Sequence, residues 1–120
     1  MSSITVANRA GEHIAEELRG VSSDPATIAA GQVLRAGAVL GRITATGLYA
    51  QFDPAAVDGT ATAAGILFDA VDASAGNRPG VVHNWSCAMV TARLAWKAGL
   101  TADDKAVAIA DLARLGIKAR

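Results

Sequence analysis

The chain of 120 residues is long enough for one domain with a modest hydrophobic core. Apolar residues make up 52% of it but aromatic residues only 4%, so its core must consist of small and branched side chains, and oligomerisation would compensate for the limited buried area. Eleven basic residues balance eleven acidic ones, which argues against nucleic acid as the main partner because a neutral chain gains little from counterion release.

The single cysteine, Cys87, excludes an intramolecular disulfide and is expected to be a small buried apolar side chain. No basic segment near the N-terminus leads into an apolar stretch, so no signal peptide is expected. No apolar run approaches the ~20 residues that a membrane span requires. These features predict a soluble protein of a reducing compartment, or one assembled there, that has no membrane partner.

Residues 1–26 are more polar than the rest and end in the turn signal Ser-Ser-Asp-Pro. Two apolar fragments lie within them, at residues 4–6 and at the pair Ile14 and Leu18. That pair shares one helical face but is too small to bury a helix. The composition predicts an N-terminal arm over residues 1–26, mobile in isolation and with two apolar anchor points, followed by a globular domain over residues 27–120.

The residues that follow Ile28 have a β pattern interrupted by frequent glycines. A breaker-rich loop, DASAGNRPG, divides this region, and the segment 89–96 fits either a strand or a helical turn. The predicted β segments are 38–44 and 48–52, joined by a Thr46-Gly47 turn, then 63–71, buried on both faces, and 81–87.

The C-terminal region carries clear helix signals. Thr101 and Asp104 form a pair typical of a capping box, and Gly116 stands where a left-handed residue ends a helix. Acidic residues in the first turn and a basic residue in the last turn match the helix dipole. We therefore predict a helix over about residues 102–115, with Ile117 packing back on Leu112. The apolar stripe expected on the sheet comprises Ala106, Ile109, Leu112 and Ala113.

The two histidines, His13 and His83, are far apart in the chain, and neither has a Cys or His partner at metal-ligand spacing. We expect each to be an ordinary structural or surface histidine. A nucleophile pair of Cys87 and His83 is not favoured, because residues i and i+4 of one strand lie ~13 Å apart.

Several aspartates fall close together in the sequence, but each flanks a turn or a strand end, where Asp favours local backbone hydrogen bonds. A glycosidase pair among them is therefore not favoured. The sequence predicts no catalytic residue, no cofactor and no metal site, and the chain is not expected to be an enzyme. The aspartates concerned are Asp53, Asp58, Asp69 and Asp72.

The glycines of the segment 31–41 match neither a dinucleotide-binding loop nor a phosphate-binding loop, and no Lys-Ser/Thr pair follows them. Glycine permits a positive φ or a close backbone crossing, so the chain can turn every few residues while the apolar side chains between point inward. The glycines therefore predict a small compact β-barrel or clip, in an α+β fold that is mainly β.

An ordered series of short motifs begins with TIAAGQVLRAGAVLG at residues 27–41. The later motifs are TATGLY at 44–49, FDP at 52–54, AVDG at 56–59, GIL at 65–67, DAVDAS at 69–74, HNWSCAMVTARLAW at 83–96 and DDKAVAIADLARLGIKAR at 103–120. The series resembles the phage head decoration protein family, the relatives of the lambda capsid decoration protein D. The resemblance covers about residues 27–120 and, more loosely, residues 14–24; Arg93 and Lys97 depart from the pattern.

The resemblance implies a β-tulip-like fold with a C-terminal helix and a flexible N-terminal arm. It also implies a non-enzymatic protein, made in the host cytoplasm and found on the outer surface of the virion. Members of the family form homotrimers at local three-fold positions of the expanded phage head and clamp neighbouring major capsid proteins together. Their arm is disordered when free and adds a strand to the capsid lattice when docked, which is β-augmentation.

By this resemblance, the expected capsid-contact residues in the arm are Ile4, Thr5 and Val6 as the added strand, with Ile14 and Leu18 as a second apolar anchor. Trp85 and Trp96 offer the largest apolar surfaces in the chain. Either both belong to the core, or one of them lines the trimer contact or the capsid footprint.

Two other kinds of protein share parts of the glycine pattern. A lipoyl or biotinyl carrier domain needs a modifiable lysine upstream of the motif, whereas the first lysine here is Lys97, far downstream. A clip-like module that binds a small ligand or carbohydrate uses a similar Ile-x-x-Gly-x-x-Leu turn. That module stays open as the alternative function.

Overall fold

The computed structural model of the chain describes residues 11–17 and 22–120. These residues form ten short strands, one 3₁₀ turn and one α-helix. No helix in this described part has the length and hydropathy needed to cross a membrane. The strands are β1 (Ile14–Glu16), β2 (Ser23–Ile28), β3 (Val33–Leu34), β4 (Val39–Arg42), β5 (Tyr49–Gln51), β6 (Ala63–Leu67), β7 (Val71–Asp72), β8 (Arg78–His83), β9 (Cys87–Met89) and β10 (Ile117–Ala119); the 3₁₀ turn is Thr91–Arg93 and the helix α1 is Ala102–Arg114.

Five of the strands form a closed barrel in the order β2-β5-β4-β6-β8. Strands β2 and β8 pair antiparallel over their whole length, from Ser23 opposite His83 to Ile28 opposite Arg78. The barrel closes through a single parallel pair, Ile28 with Tyr49, between β2 and β5. The mainly β fold, with one C-terminal helix among the described residues and a small barrel, confirms the predicted fold class.

A second sheet, of three strands in the order β1-β9-β10, lies beside the barrel. β9 is its central strand, antiparallel to β1 and parallel to β10. β3 and β7 form a separate two-stranded ribbon through the pairs of Val33 with Asp72 and Leu34 with Val71. The second sheet thus joins a segment near the N-terminus to the last strand of the chain.

Two hydrophobic clusters stabilise these layers, and both consist mainly of aliphatic side chains, as the composition predicts. One cluster fills the barrel around Ile28, Leu40 and Leu67. The other lies between the barrel, the second sheet and α1, where Phe52 and Leu112 are almost completely buried. Burial of one such side chain contributes roughly 1.5–3 kcal/mol.

Two glycines show why this barrel needs residues without a side chain. A Cβ added to Gly41 would lie 2.4 Å from the Cα of Thr60, so the two backbones cross in direct contact. Gly37 has a φ of +85°, and a Cβ there would lie 2.8 Å from the carbonyl oxygen of Arg93. The structural role predicted for the glycines is therefore confirmed at these positions.

The predicted strands are confirmed for β4 and β5 and wrong at later boundaries. The segments predicted at 38–44 and 48–52 contain β4 and β5. The third segment ends at Leu67 instead of Val71, because the chain bends there and starts β7 in another sheet. The segment predicted at 81–87 is broken at residues 84–86, where Ser86 adopts a φ of +41°.

Strand β2 was not predicted, because its Asp-Pro pair was interpreted as a turn. The backbone oxygen of Val81, which lies opposite Pro25, accepts a bond from the N–H of Phe68, the residue directly after β6. In an antiparallel pair, the peptide groups of both opposed residues then point away from each other. The missing N–H of Pro25 therefore costs no bond to β8, and β5 does not pair with β2 at that level.

The predicted C-terminal helix is confirmed, together with its capping box. The Thr101 side chain accepts a bond from the Asp104 N–H at 3.1 Å, and the Asp104 carboxylate accepts one from the Thr101 N–H at 3.2 Å. Gly116 follows the helix with a φ of +81°. The predicted contact of Ile117 with Leu112 agrees with their place in one core cluster.

The predicted apolar stripe of the helix is partly wrong. Ala106 and Ala113 are exposed, whereas Ala108 and Leu112 are buried. The docked face also includes Asp111, whose carboxylate accepts a hydrogen bond from the N–H of Ala63 at 3.2 Å. Asp111 thus satisfies the first N–H of β6 from the docked face of the helix. A search for apolar residues alone does not identify this position.

The division into an arm over 1–26 and a domain over 27–120 stays a prediction. In the described residues, the segment 11–17 lies against the globular part through β1, and the whole of β2 belongs to the barrel. The segment 89–96, left open between strand and helical turn, contains the end of β9 and then the 3₁₀ turn.

Candidate interaction surface

The cysteine shows none of the features of a reactive thiol. Cys87 is buried in β9, as predicted, and packs in the cluster beneath the helix. Burial raises the pKa of its thiol to about 11, with a further contribution from the Glu17 carboxylate. A thiol with so high a pKa is almost wholly protonated at neutral pH and is a poor nucleophile.

The aspartates form local hydrogen bonds, as predicted from their positions at turns. Asp53, Asp58 and Asp72 each accept a bond from the backbone N–H two residues further on. The pKa of each carboxyl lies below its ordinary value, chiefly through a side-chain hydrogen bond. For Asp53 that bond comes from Lys97 at 2.8 Å, a pairing that the sequence did not indicate. These carboxylates therefore stabilise loops.

The two histidines meet in the interior, contrary to what their separation in the sequence suggested. The rings of His13 and His83 lie edge to face with centroids 6.4 Å apart, and neither residue is more than 1% exposed. Nε2 of His83 lies 2.5 Å from a carboxylate oxygen of Glu17. Within residues 11–17 and 22–120, no group of three or more metal-ligating side chains is arranged to hold an ion. Each histidine was expected to be an ordinary structural or surface residue, and the structure buries both.

Of the five residues predicted for capsid contact, only Ile14 lies in the described part of the chain; Ile4, Thr5, Val6 and Leu18 lie outside it. Ile14 opens β1, pairs with Met89 of β9 and packs partly buried against the core. Its position anchors the segment 11–17 to the globular domain. The contact it makes with a capsid stays a prediction.

The sheet to which Ile14 belongs has β1 as an edge strand. Among the described residues, β1 pairs with β9 alone, through Ile14 with Met89 and Glu16 with Ala88, with an irregular register between them. An edge strand presents backbone N–H and C=O groups that another chain can pair with. The N-terminal segment therefore joins the globular domain at a sheet edge to which another chain can add a strand.

The two tryptophans have different environments. Trp85 is 55% exposed and lies in the turn between β8 and β9. Its neighbours are held by hydrogen bonds: the Asn84 side chain donates to Asp24 at 3.0 Å, and the Ser86 carbonyl accepts a bond from the Ser22 hydroxyl at 2.9 Å. Both features fix the turn that carries the indole, so the exposed ring needs little ordering when a partner covers it.

Trp96 is half-buried and packs on the core cluster beneath the helix. Its ring meets Phe52 edge to face at 6.4 Å, and the Lys105 ammonium lies 5.9 Å from the ring centroid. These contacts favour a role for Trp96 in packing and leave Trp85 as the better candidate for an intermolecular contact.

A groove of about 540 Å³ opens where β2 and β5 diverge beyond their single pair. Its lining is mixed, with Asp24, Arg42 and Asn84 beside the ring of Tyr49. Arg42 lies over that ring at 5.9 Å from its centroid. This groove is where a clip-like module would hold a small ligand.

Comparison with known proteins gives one family. The family model described as bacteriophage lambda head decoration protein D matches residues 3–117 of the 120. A search of curated protein sequences finds no significant match. The matched range includes the barrel, β1, β9, the helix and most of the N-terminal segment, and it ends at the first residue of β10. The similarity therefore extends over nearly the whole chain and not only to its glycine motifs.

Proposed function

The chain belongs to the phage head decoration protein family, and we propose that it acts as a cementing protein that binds as trimers at local three-fold sites of the expanded head and stabilises the shell. The family is one of structural proteins of the phage head, which implies a place in the virion capsid and association with the capsid. The match over residues 3–117 carries the proposal, and the surface of the molecule supports it.

The proposed grip on the shell comes from the N-terminal arm. Ile4, Thr5 and Val6 form a short β-prone run, and we propose that they add a strand to a sheet of the major capsid protein. In such a strand the backbone supplies hydrogen bonds, while alternate side chains fill pockets on the partner. The anchoring of Ile14 on β9 fixes where this arm leaves the globular domain.

A second contact is proposed at Trp85. An exposed indole on a fixed turn is the kind of residue that dominates the binding energy of an interface, often by 2 kcal/mol or more. We propose that Trp85 lies in the capsid footprint or in the contact between protomers. Trp96, with its ring against Phe52, is assigned to packing in this proposal.

The decisive experiment mixes the purified chain with expanded and unexpanded shells of the phage that encodes it. Copies bound per shell are counted after sedimentation, and the temperature at which the shells rupture is measured with and without the chain. Saturation at three copies per local three-fold site of expanded shells, with a higher rupture temperature, is the expected result. Absence of binding to either shell would overturn the proposal.

The same preparation tests the alternative of a small-ligand module. Screening a carbohydrate panel against the Arg42 and Tyr49 amide signals would detect occupation of the groove between β2 and β5. Shell binding without any shift of those signals agrees with the cementing role. Saturable ligand shifts without shell binding would favour the module.

A further inference from the structure

Burial of the His13 side chain costs free energy that no hydrogen bond within the described residues offsets. Its side chain is 0% exposed, and neither ring nitrogen has a hydrogen-bond partner among the described residues. Nδ1 of His83 is in the same condition, and only its Nε2 has a partner, in Glu17. A neutral imidazole tolerates this environment at a cost, whereas an imidazolium there would be a buried charge without a hydrogen-bond acceptor.

The segment that carries His13 is held at an edge of the second sheet. The backbone oxygen of His13 accepts a bond from the Val90 N–H at 2.7 Å, and the Gly11 N–H donates to Phe68 at 3.3 Å. Beyond these, β1 has two paired positions on β9, Ile14 packs partly buried on the core, and Glu12 and Glu17 pair with Arg93 and His83. Removing this edge strand leaves β9 paired with β10 and does not interrupt the barrel. The segment can therefore detach without unfolding the rest.

We propose that His13, packed against His83, forms an acid-sensitive latch: while His13 is neutral the segment 11–17 stays docked, and protonation of His13 detaches β1 while the barrel stays folded. His13 lies on the segment itself, and His83 lies at the end of a barrel strand. The latch therefore connects the movable segment to the fixed part of the molecule.

The charged and titratable groups around His13 act in opposite directions. The pKa of His13 is lowered to about 4, chiefly by burial and next by the nearby His83, while Glu17 and Glu12 act to raise it. Glu12 is paired with Arg93 of the 3₁₀ turn at 3.3 Å, and the Cys87 thiol on β9 remains neutral throughout. Burial prevails over the two carboxylates.

The direction of the pH effect follows from this balance. In the detached segment His13 titrates near its ordinary value of 6.5, whereas in the docked segment it titrates near 4. The detached form therefore binds more protons, and docking is strongest above pH 6.5 and weakens as the pH falls towards 4. Between pH 7.5 and pH 5 the detached fraction rises by about 30-fold.

Amide hydrogen exchange measured by NMR on the free chain tests the latch directly. The Val90 amide reports on the docked segment, and the Phe52 amide, bonded to Val39, reports on the barrel. After correction for intrinsic exchange, the protection of Val90 should fall by about 30-fold from pH 7.5 to pH 5, while that of Phe52 stays constant. Because the chain has only two histidines, few other groups titrate in this window.

The variant His13→Leu is the matched control, because it keeps the volume and apolar contacts of the ring and cannot be protonated. Its Val90 protection should not change with pH and should exceed that of the unmodified chain at pH 7.5, since the unpartnered nitrogens are gone. If this variant does not fold, the His13 ring signals of the unmodified chain give the second measurement. These signals should change in step with the loss of Val90 protection.

Two results would overturn the latch. One is a His13 ring that titrates near 6.5 while Val90 protection stays constant. The other is a joint loss of Val90 and Phe52 protection, which would show global unfolding in place of local detachment. Both readouts use the free chain, so a failure of the latch can be distinguished from a failure of the proposed shell binding.

One consequence rests on the proposed function. If the N-terminal residues grip a shell, detachment of the segment 11–17 adds seven residues to the arm. Fully extended, seven residues span up to ~24 Å, so acid would lengthen the reach of each arm by that amount. The latch thus sets where the arm leaves the globular domain.

Discussion

Among single residues, the two tryptophans have different surroundings, which assign one to intermolecular contact and the other to core packing; the sequence alone does not distinguish them. Trp85 has a fixed turn beneath it and solvent around it, whereas Trp96 has Phe52 at its edge and Lys105 above its face. Truncating a ring that packs on a core costs folding energy. Truncating a ring that stands in solvent costs only the contacts that a partner would have made.

We therefore expect the variants Trp85→Ser and Trp96→Ser to have different effects on stability and on shell binding. Trp85→Ser should leave the melting temperature within a few degrees of the unmodified chain and weaken shell binding by at least ~30-fold, the equivalent of a hot-spot residue. Trp96→Ser should lower the free energy of unfolding by about 3 kcal/mol. Thermal unfolding and shell sedimentation, performed on both variants, measure the two effects.

The opposite pattern would reassign the two residues. A destabilised Trp85→Ser variant, or one that binds shells as well as the unmodified chain, would contradict the contact proposed for that ring. The Trp96→Ser variant serves as the control for stability, because any binding defect it shows should disappear at temperatures where it is folded.

At the scale of elements, helix α1 is stabilised at its start by a reciprocal pair of hydrogen bonds. The Thr101 hydroxyl and the Asp104 carboxylate each satisfy one backbone N–H of the first turn. Because the helix brings Ala108 and Leu112 onto the core, fraying at its start would also loosen that packing.

We therefore expect Thr101→Ala to reduce the free energy of unfolding by about 1 kcal/mol, as measured by urea denaturation. Thr62→Ala is a suitable control: Thr62 is exposed, and its hydroxyl makes no hydrogen bond within the described residues. That variant should stay within ~0.5 kcal/mol of the unmodified chain. Equal effects in the two variants would show that the capping pair contributes nothing measurable.

The cap also shows which elements a sequence predicts well. Its residues are three apart, so their pairing follows from local spacing, and helix, cap and C-terminal glycine were all predicted. Strand β2 was missed because a strand accepts a proline such as Pro25 only where no neighbouring strand needs its N–H. That depends on where β8 and β5 lie beside β2, which the local sequence does not encode.

The candidate site divides in the same way. The Asp turn bonds and the buried Cys87 follow from local chemistry and were predicted. The meeting of His13 with His83 joins positions 70 residues apart, and no local pattern encodes it. The break at residues 84–86, which places Trp85 in a turn, likewise lies inside a segment that the sequence presents as one continuous strand.

At the scale of the whole molecule, the proposed function depends on several weak grips acting together. If each arm of a trimer binds weakly, the second and third arms bind at a high effective concentration once the first has docked. Small losses per arm then multiply into a large loss for the trimer, so changes confined to the arm should have steep effects on shell binding.

Deleting residues 1–10 tests this dependence while leaving His13 and β1 in place. The truncated chain should keep its melting temperature, because in this proposal the arm contributes to shell binding and not to the core of the globular domain. Its shell binding should fall below detection in the sedimentation assay. Full-strength binding by the truncated chain would contradict the proposed role of the arm.

Finer substitutions distinguish strand addition from a general need for apolar residues. In an extended strand Ile4 and Val6 point to one face and Thr5 to the other, so only one of these sets enters the pockets of the partner. If Ile4 and Val6 do, Ile4→Asp with Val6→Asp should abolish shell binding, whereas Thr5→Asp should reduce it by less than about tenfold, since its backbone bonds remain. If all three variants lose binding equally, or none does, the alternation expected of an added strand is absent and the arm must bind in another way.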